Sequence, residues 1–275
     1  MEIDKKWSKK NSDTDSHKVD WQQKLKQIKE SAATKEQPQL DQEDFISQAK
    51  QQLINKAEIP TKYQEASFDN YSIDQQNSDK IAHIQEYLNN FREHKKRGDC
   101  IYIYGSSPGT GKTHLAVSIF KELMNFYLRD IYAENKEKWD IQIGKFDISN
   151  YLAPFKFIES SDYFQKLRNS YNRGSKEREH QLLSKTKRPA VLLWDDILTE
   201  RDNEWALERM HMILNHRYNN KKITIFTSNF FFDFFRKIVS DNRKVQKQGE
   251  RIFSRLFSMC EACTIEIDGQ DRRLR

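Results

Sequence analysis

The sequence predicts an α/β fold built on a parallel sheet flanked by helices. Three observations carry that expectation. Ile101-Tyr-Ile-Tyr104, a short β-branched and aromatic run, leads straight into the glycine-rich stretch Gly105-Ser-Ser-Pro-Gly-Thr-Gly-Lys-Thr113, and helical spacing of apolar residues follows. Pro189-Ala-Val-Leu-Leu-Trp194 is a continuous apolar run ending in Asp195-Asp196, the pattern of a strand buried on both faces of a parallel sheet. Lys222-Ile-Thr-Ile-Phe-Thr-Ser-Asn229 repeats the strand pattern after another helical stretch. Strands alternating with helices are the signature of βαβ units.

The elements follow in order. Residues 1–58 are rich in Lys, Gln, Asp, Glu and Ser, and the first twenty read as disordered. Beyond them, Trp21, Leu25 and Ile28 lie at helical spacing, as do Phe45, Ala49 and Leu53. Each stripe is too narrow for a core of its own. It either docks on a partner or packs on the chain's main domain. Ile59-Pro60 closes this polar, largely helical N-terminal region, because proline disfavours helix in the residue before it. The remaining residues, 59–275, form the second domain. Residues 77–91 predict a helix capped by Ser78 with Ile81, Ile84, Leu88 and Phe91 on one face. The helix after the glycine-rich loop is expected over 115–127, carrying Ala116, Phe120, Leu123 and Tyr127. Residues 128–154 show no clear period and read as an insertion or long loop. A short strand is expected at 155–158, a helix at 162–171 and a basic connector at 172–188. A helix bearing Ala206, Met210, Ile213 and His216 or Arg217 joins the two later strands.

Composition narrows the class. The chain has 275 residues, 47 Lys and Arg against 41 Asp and Glu, and a net charge of +6. That balance suits an anionic partner without requiring one. No run of 18 apolar residues is present, so no membrane span is expected. The first residues lack an apolar signal segment, and Cys100, Cys260 and Cys263 make no disulfide framework. A reducing, cytoplasmic location is expected. Cys260 and Cys263, placed in an apparent strand with no second metal pair, read as structural.

The strand, loop and helix around 101–127 provide the context of a nucleotide-binding P-loop. Loop N–H groups converge on phosphate oxygens, and the helix N-terminus adds its dipole. Lys112 is expected to reach the β- and γ-phosphates, and the Thr113 hydroxyl to ligate Mg²⁺. The first glycine of G-x4-G-K-[ST] should fall on position 106, which is Ser106, with Gly105 one residue early. A shifted entry to the turn is expected. Asp195 and Asp196, at the C-terminal end of a buried strand, read as the Walker B partner. Asp195 holds Mg²⁺ through water and Asp196 orients or deprotonates the attacking water. Asn229, after a parallel strand, is expected to position that water by hydrogen bonding.

The ordered set resembles the DnaC/DnaI-type replicative helicase loaders of the AAA+ superfamily, over about three quarters of the chain. The matching stretches are residues 59–71, the P-loop with His114, the run Leu193-Trp-Asp-Asp-Ile-Leu-Thr-Glu-Arg-Asp-Asn-Glu-Trp205, Thr227-Ser-Asn229, Glu250-Arg-Ile-Phe-Ser-Arg-Leu256 and Gly269-Gln-Asp-Arg-Arg273. The resemblance implies a AAA+ P-loop ATPase core that binds ATP and Mg²⁺ and contacts a hexameric DnaB-type helicase through its N-terminal region. It implies loading of that helicase onto single-stranded DNA in primosome assembly, with weak turnover stimulated by assembly or DNA. Ser106, Ser107, Pro108, Gly109, Thr110, Gly111, Lys112, Thr113 and His114 are the expected nucleotide-binding set, joined by Arg273 in the late sensor position. Self-assembly would place ATP between subunits, with Arg255, or else Arg251, acting on the neighbour's γ-phosphate.

The resemblance also places a DNA-facing helix over 160–178, interleaving Tyr163, Phe164 and Tyr171 with Lys166, Arg168 and Arg173. Basic groups there would neutralise phosphates and aromatic rings would stack on bases. A structural helix with a solvated basic face fits the same residues. The aromatic run Phe230-Phe-Phe-Asp-Phe-Phe235 reads first as core packing and second as a partner surface. Two other functions stay open on these residues: an IstB-like transposition helper ATPase, and a nucleotide-binding adaptor without turnover.

Overall fold

The computed structural model describes residues 41–135, 155–172, 174–200 and 203–272. Five parallel strands, β1 (Ile101–Tyr104), β2 (Phe155–Glu159), β3 (Val191–Asp195), β4 (Ile223–Ser228) and β5 (Thr264–Glu266), form one sheet in the order β2-β3-β4-β1-β5. β3 and β4 are buried at every position. That is why β3 runs apolar without alternation up to Asp195, and why Thr224, Thr227 and Ser228 in β4 must find partners inside the protein.

Nine helices are described: α1 (Gln42–Lys56), α2 (Ser78–Asn89), α3 (Phe91–Arg97), α4 (Lys112–Asn135), α5 (Ser160–Asn169), α6 (Glu179–Lys187), α7 (Glu204–Asn219), α8 (Phe232–Ser240) and α9 (Gln246–Cys260). Several expectations are corrected. α4 runs on to Asn135, eight residues past Tyr127. The extension is held because α1 packs beside it, with the Phe45 and Tyr132 rings 5.3 Å apart. The stripe Phe45, Ala49 and Leu53 is therefore buried, together with Ile46 and Ile54. The backbone beyond α1 is tied to β2 by a 2.8 Å bond from the Phe157 N–H to the Ala57 carbonyl. The compact unit thus includes α1 and begins before the expected division at 58. The stripe Trp21, Leu25 and Ile28 lies outside the described residues, as does the rest of the expected insertion up to 154.

The expected 77–91 helix is two helices. Asn77, not Ser78, stands at the cap position, and its side-chain oxygen accepts from the Asp74 N–H instead of the helix. The expected connector at 172–188 contains α6, whose Leu182 and Leu183 are buried. Cys260 ends α9 and Cys263 precedes β5, so neither lies in a strand. Both thiols are buried, and burial pushes Cys263 up to about 12 and Cys260 well above its ordinary value. They are inert packing groups. The aromatic run divides: Phe232 and Phe235 join the core, while Phe231 and Phe234 are exposed.

One buried charge fixes the N-terminal edge of the sheet. Arg217, at the end of α7, is fully buried. Its guanidinium donates to the Thr224 hydroxyl at 2.8 Å and to the carbonyls of Thr186, Lys187, Pro189 and Ile223 at 2.6–3.3 Å. Burial lowers its pKa to about 10. These acceptors tie α6, α7, β3 and β4 together at the end of the sheet remote from the P-loop.

Candidate nucleotide site at the C-terminal edge of the sheet

Ligands of open α/β sheets bind outside the carboxyl ends of the strands, and the predicted site residues converge there. β1 ends at Tyr104 and the loop 105–111 turns into the N-terminus of α4. Gly109 has φ +70°, in the left-handed region that favours glycine. The displaced glycine at 105 has a steric cause: a Cβ there would lie 2.1 Å from the Ile267 carbonyl oxygen, because the chain leaving β5 passes against it. Position 106 faces outward and accommodates serine.

Lys112 is buried at the start of α4, and its ammonium donates to the carbonyls of Gly105 and Ser107 at 2.8 Å each. Thr113 donates from its hydroxyl to Asp195 Oδ1 at 2.9 Å. The P-loop threonine and the carboxylate ending β3 therefore meet across the cleft. Thr227, one strand over, donates to the same oxygen at 2.6 Å and accepts the Asp196 N–H at 2.8 Å. Asp196 sits beyond the end of β3 with φ +57°. Such a backbone costs a non-glycine residue energy and persists only when its neighbours hold it. Here they do so twice, through Thr227 on its N–H and through the Asn229 amide, which donates to Asp196 Oδ1 at 2.9 Å.

Burial is the main reason that Asp195 is pushed up to about 6; the hydroxyls of Thr227 and Thr113 oppose it, and the charges of Asp196 and Glu159 add to it. Asp196 is raised too, first by burial and then by Glu159. Glu159 comes to this edge because β2 pairs with β3 in register, Glu159 opposite Asp195. A buried carboxylate beside a threonine hydroxyl is an all-oxygen donor set of the kind Mg²⁺ takes. The residues present therefore fit that ion.

The other predicted residues are distributed more widely. Ser106, Ser107 and Thr110 are engaged by the chain after β5, and Pro108 is exposed at the loop tip. The His114 imidazole meets the Ser67 carbonyl and Asn70 Oδ1 and sits beside the Tyr71 ring, so the segment before α2 holds it. Arg251 and Arg255 lie on α9, in a groove with His211, Asn215, Lys247 and Glu250 that shares no residue with the P-loop or the Asp195–Asn229 cluster. Arg255 donates to Asn215 Oδ1 at 3.2 Å and stacks over Tyr218. Arg273 and Arg173 lie outside the described residues.

The expected DNA-facing aromatics are corrected. Tyr163 and Phe164 are buried against Trp194 and have no face free to stack on a base. Helical periodicity makes these positions the inner side of α5. Tyr171 is exposed, Lys166 pairs with Asp162, and Arg168 pairs with Glu200 and lies over Trp205.

Sequence reasoning named Asn229 but missed Thr227, Glu159 and Asp268. Thr227 does carry a signal: a hydroxyl in a strand buried on both faces must have a partner. Glu159 and Asp268 depend on strand order and carry no local signal.

No protein-family model matches the chain. The chain is similar to the replicative helicase loader DnaC of Buchnera aphidicola subsp. Baizongia pistaciae, 23% identical over 203 residues, covering 72% of this chain and 71% of that one. DnaC of Escherichia coli (strain K12) is 23% identical over 209 residues, covering 75% and 69%. The phage-like element PBSX protein XkdC of Bacillus subtilis is 24% identical over 227 residues, covering 79% and 70%. Among solved structures, that of the DnaC helicase loader matches with a TM-score of 0.53 at 24% identity, covering 76% of this chain and all of that one. That of DnaI matches with a TM-score of 0.54 at 22% identity, covering 78% and 95%. The fold is that of the DnaC and DnaI structures, and the resemblance to DnaC/DnaI-type loaders seen in the motifs is matched by both comparisons.

Proposed function

We propose that this chain is an ATP-dependent loader of a DnaB-type replicative helicase onto single-stranded DNA. The observation that carries the ATPase reading is the convergence of Thr113, Asp195, Asp196, Thr227 and Asn229 beside the P-loop at one edge of the sheet. Mutual hydrogen bonds hold these groups in place before any ligand arrives, as electrostatic preorganisation requires. The names of the similar proteins support the loading role.

Each residue has a part in this reading. The loop amides and Lys112 bind the phosphates, the lysine exchanging its two loop carbonyls for phosphate oxygens. Thr113 and Asp195 hold Mg²⁺, which when bound offsets phosphate charge. Asp196 orients the attacking water, and Asn229 fixes the Asp196 carboxylate. Arg255, or else Arg251, serves the site of a neighbouring copy, since their groove lies apart from the chain's own P-loop. The region before Gln42 contacts the helicase. Lys166 and Arg168 on the exposed side of α5, with Tyr171 in the turn that follows it, support a DNA contact narrower than the sequence suggests.

The test is reconstitution with the host's replicative helicase. The full chain should co-elute with the helicase hexamer and deliver it to a single-stranded circle in the presence of ATP. No association with the helicase, together with stimulation by duplex DNA and a transposase, would replace this reading with the transposition-helper one.

A further inference from the structure

We propose that residues 267–272 are a built-in competitor for the P-loop, a tail that must leave the loop before a nucleoside triphosphate binds. The proposal rests on reading the loop as an ATP site. The tail touches the loop near both of its ends, through Ile267 and Asp268 and through Asp271 and Arg272. The Ile267 N–H extends the β5 pairing to the Tyr104 carbonyl at 2.6 Å, and its own carbonyl accepts the Thr110 hydroxyl at 3.0 Å. Asp268 Oδ1 accepts the Ser107 N–H at 3.1 Å, and its other oxygen accepts the Ser106 hydroxyl at 3.4 Å. Asp271 lies against the open side of Gly109: a Cβ on that glycine would be 1.7 Å from Asp271 Oδ1. The Arg272 N–H then donates to the Gly109 carbonyl at 2.9 Å.

The far end is clamped by a different segment. The Arg272 guanidinium donates to the Ser72 carbonyl at 2.5 Å and to Asp74 Oδ2 at 3.3 Å, and lies over the Tyr71 ring. The tail is therefore held between the loop and the segment that precedes α2.

The chemistry of the contact is that of the expected ligand. A carboxylate on a loop N–H presents an anionic oxygen to a donor of the phosphate loop. Two carboxylates beside the loop also repel an incoming polyphosphate. Lys112, bonded to the carbonyls of Gly105 and Ser107, is folded onto the same loop. The Ser107 N–H holds the Asp268 carboxyl below its ordinary range, and the Lys112 charge adds to that. With the tail closed, only the open fraction of molecules binds nucleotide, and the apparent dissociation constant is the intrinsic one divided by that fraction.

The experiment is a titration of the full chain with a fluorescent ATP analogue and Mg²⁺, comparing wild type, Asp268→Asn, Arg272→Ala and Lys112→Ala. Asp268→Asn removes the charge on the loop, and Arg272→Ala removes the clamp at the opposite end. Both variants should bind nucleotide more tightly, by about tenfold if the tail is closed nine-tenths of the time. A tail that merely braces the loop predicts the reverse sign, weaker binding in both. Unchanged or weaker binding in both variants, with binding abolished in Lys112→Ala, overturns the competitor and leaves the ATP site standing. Wild-type binding in Lys112→Ala overturns the ATP site itself.

Discussion

The two edges of the sheet treat charge in opposite ways. At the N-terminal edge, Arg217 is fully buried and its donors meet four backbone carbonyls and one hydroxyl. Those carbonyls lie in the last turn of α6, in the short connection to β3 and at the start of β4, and are held there by the elements around them. At the C-terminal edge, Lys112, Asp195 and Asp196 are also partly or wholly buried, but their partners are a glycine-rich loop and the side chains of Thr113, Thr227 and Asn229. A loop carbonyl can be exchanged for a phosphate oxygen, and a threonine hydroxyl can turn to a metal ion. Burial alone therefore does not mark a functional charge. What distinguishes the candidate site is that its hydrogen-bond partners are replaceable, and that it keeps a strained residue, Asp196, in place.

The largest effect expected on this contrast comes from the helix that braces α4, the element joining the site to the scaffold. Removing residues 1–41 should leave folding and ATP binding intact. Removing 1–58 strips Phe45, Ile46, Leu53 and Ile54 from the core at about 1.5–3 kcal/mol each, a loss comparable to the whole stability of an ordinary domain. Circular dichroism and ATP binding should both collapse for the longer deletion only. Equal behaviour of the two deletions would break the picture of α1 as scaffold.

Next in size is Arg217→Met. It leaves several buried carbonyls without a donor and should cost about 3–5 kcal/mol of stability in urea denaturation. Nucleotide affinity in the surviving folded fraction should be unchanged. A loss of affinity without a loss of stability would mean that the two edges are not separate in function.

Smaller in stability and sharper in function is Thr227→Val. The hydroxyl it removes bonds both Asp195 and the Asp196 N–H, so stability should fall by about 1–2 kcal/mol. ATP binding should survive, while turnover falls by about one to two orders of magnitude as Asp196 loses its restraint. Thr227→Ser, which keeps the hydroxyl, should restore most of the turnover. If the serine variant is as slow as the valine one, the methyl packing matters and the positioning role is wrong.

The sequence made the P-loop, the acidic strand end and Asn229 legible because each is a local pattern with a chemical reason. It also made the parallel sheet legible, since β3 is apolar up to Asp195 and β4 is built of β-branched and aromatic residues up to Ser228. It did not reveal what depends on tertiary placement. Tyr163 and Phe164 sit between basic residues along the chain, yet the periodicity of α5 turns both inward. The shift of glycine from 106 to 105 is explained only by the Ile267 carbonyl, 162 residues away in the chain. The extension of α4 to Asn135 follows from the cover supplied by α1, which composition alone assigned to a separate region.

The most direct test of the central claim is Mg²⁺-ATP binding to Lys112→Ala, measured by calorimetry alongside its thermal midpoint. The ammonium now donates to loop carbonyls, and with the phosphate role proposed for it the expected result is a midpoint within a few degrees of wild type and no measurable binding. Wild-type affinity at an unchanged midpoint would contradict the claim that this edge of the sheet is the ATP site.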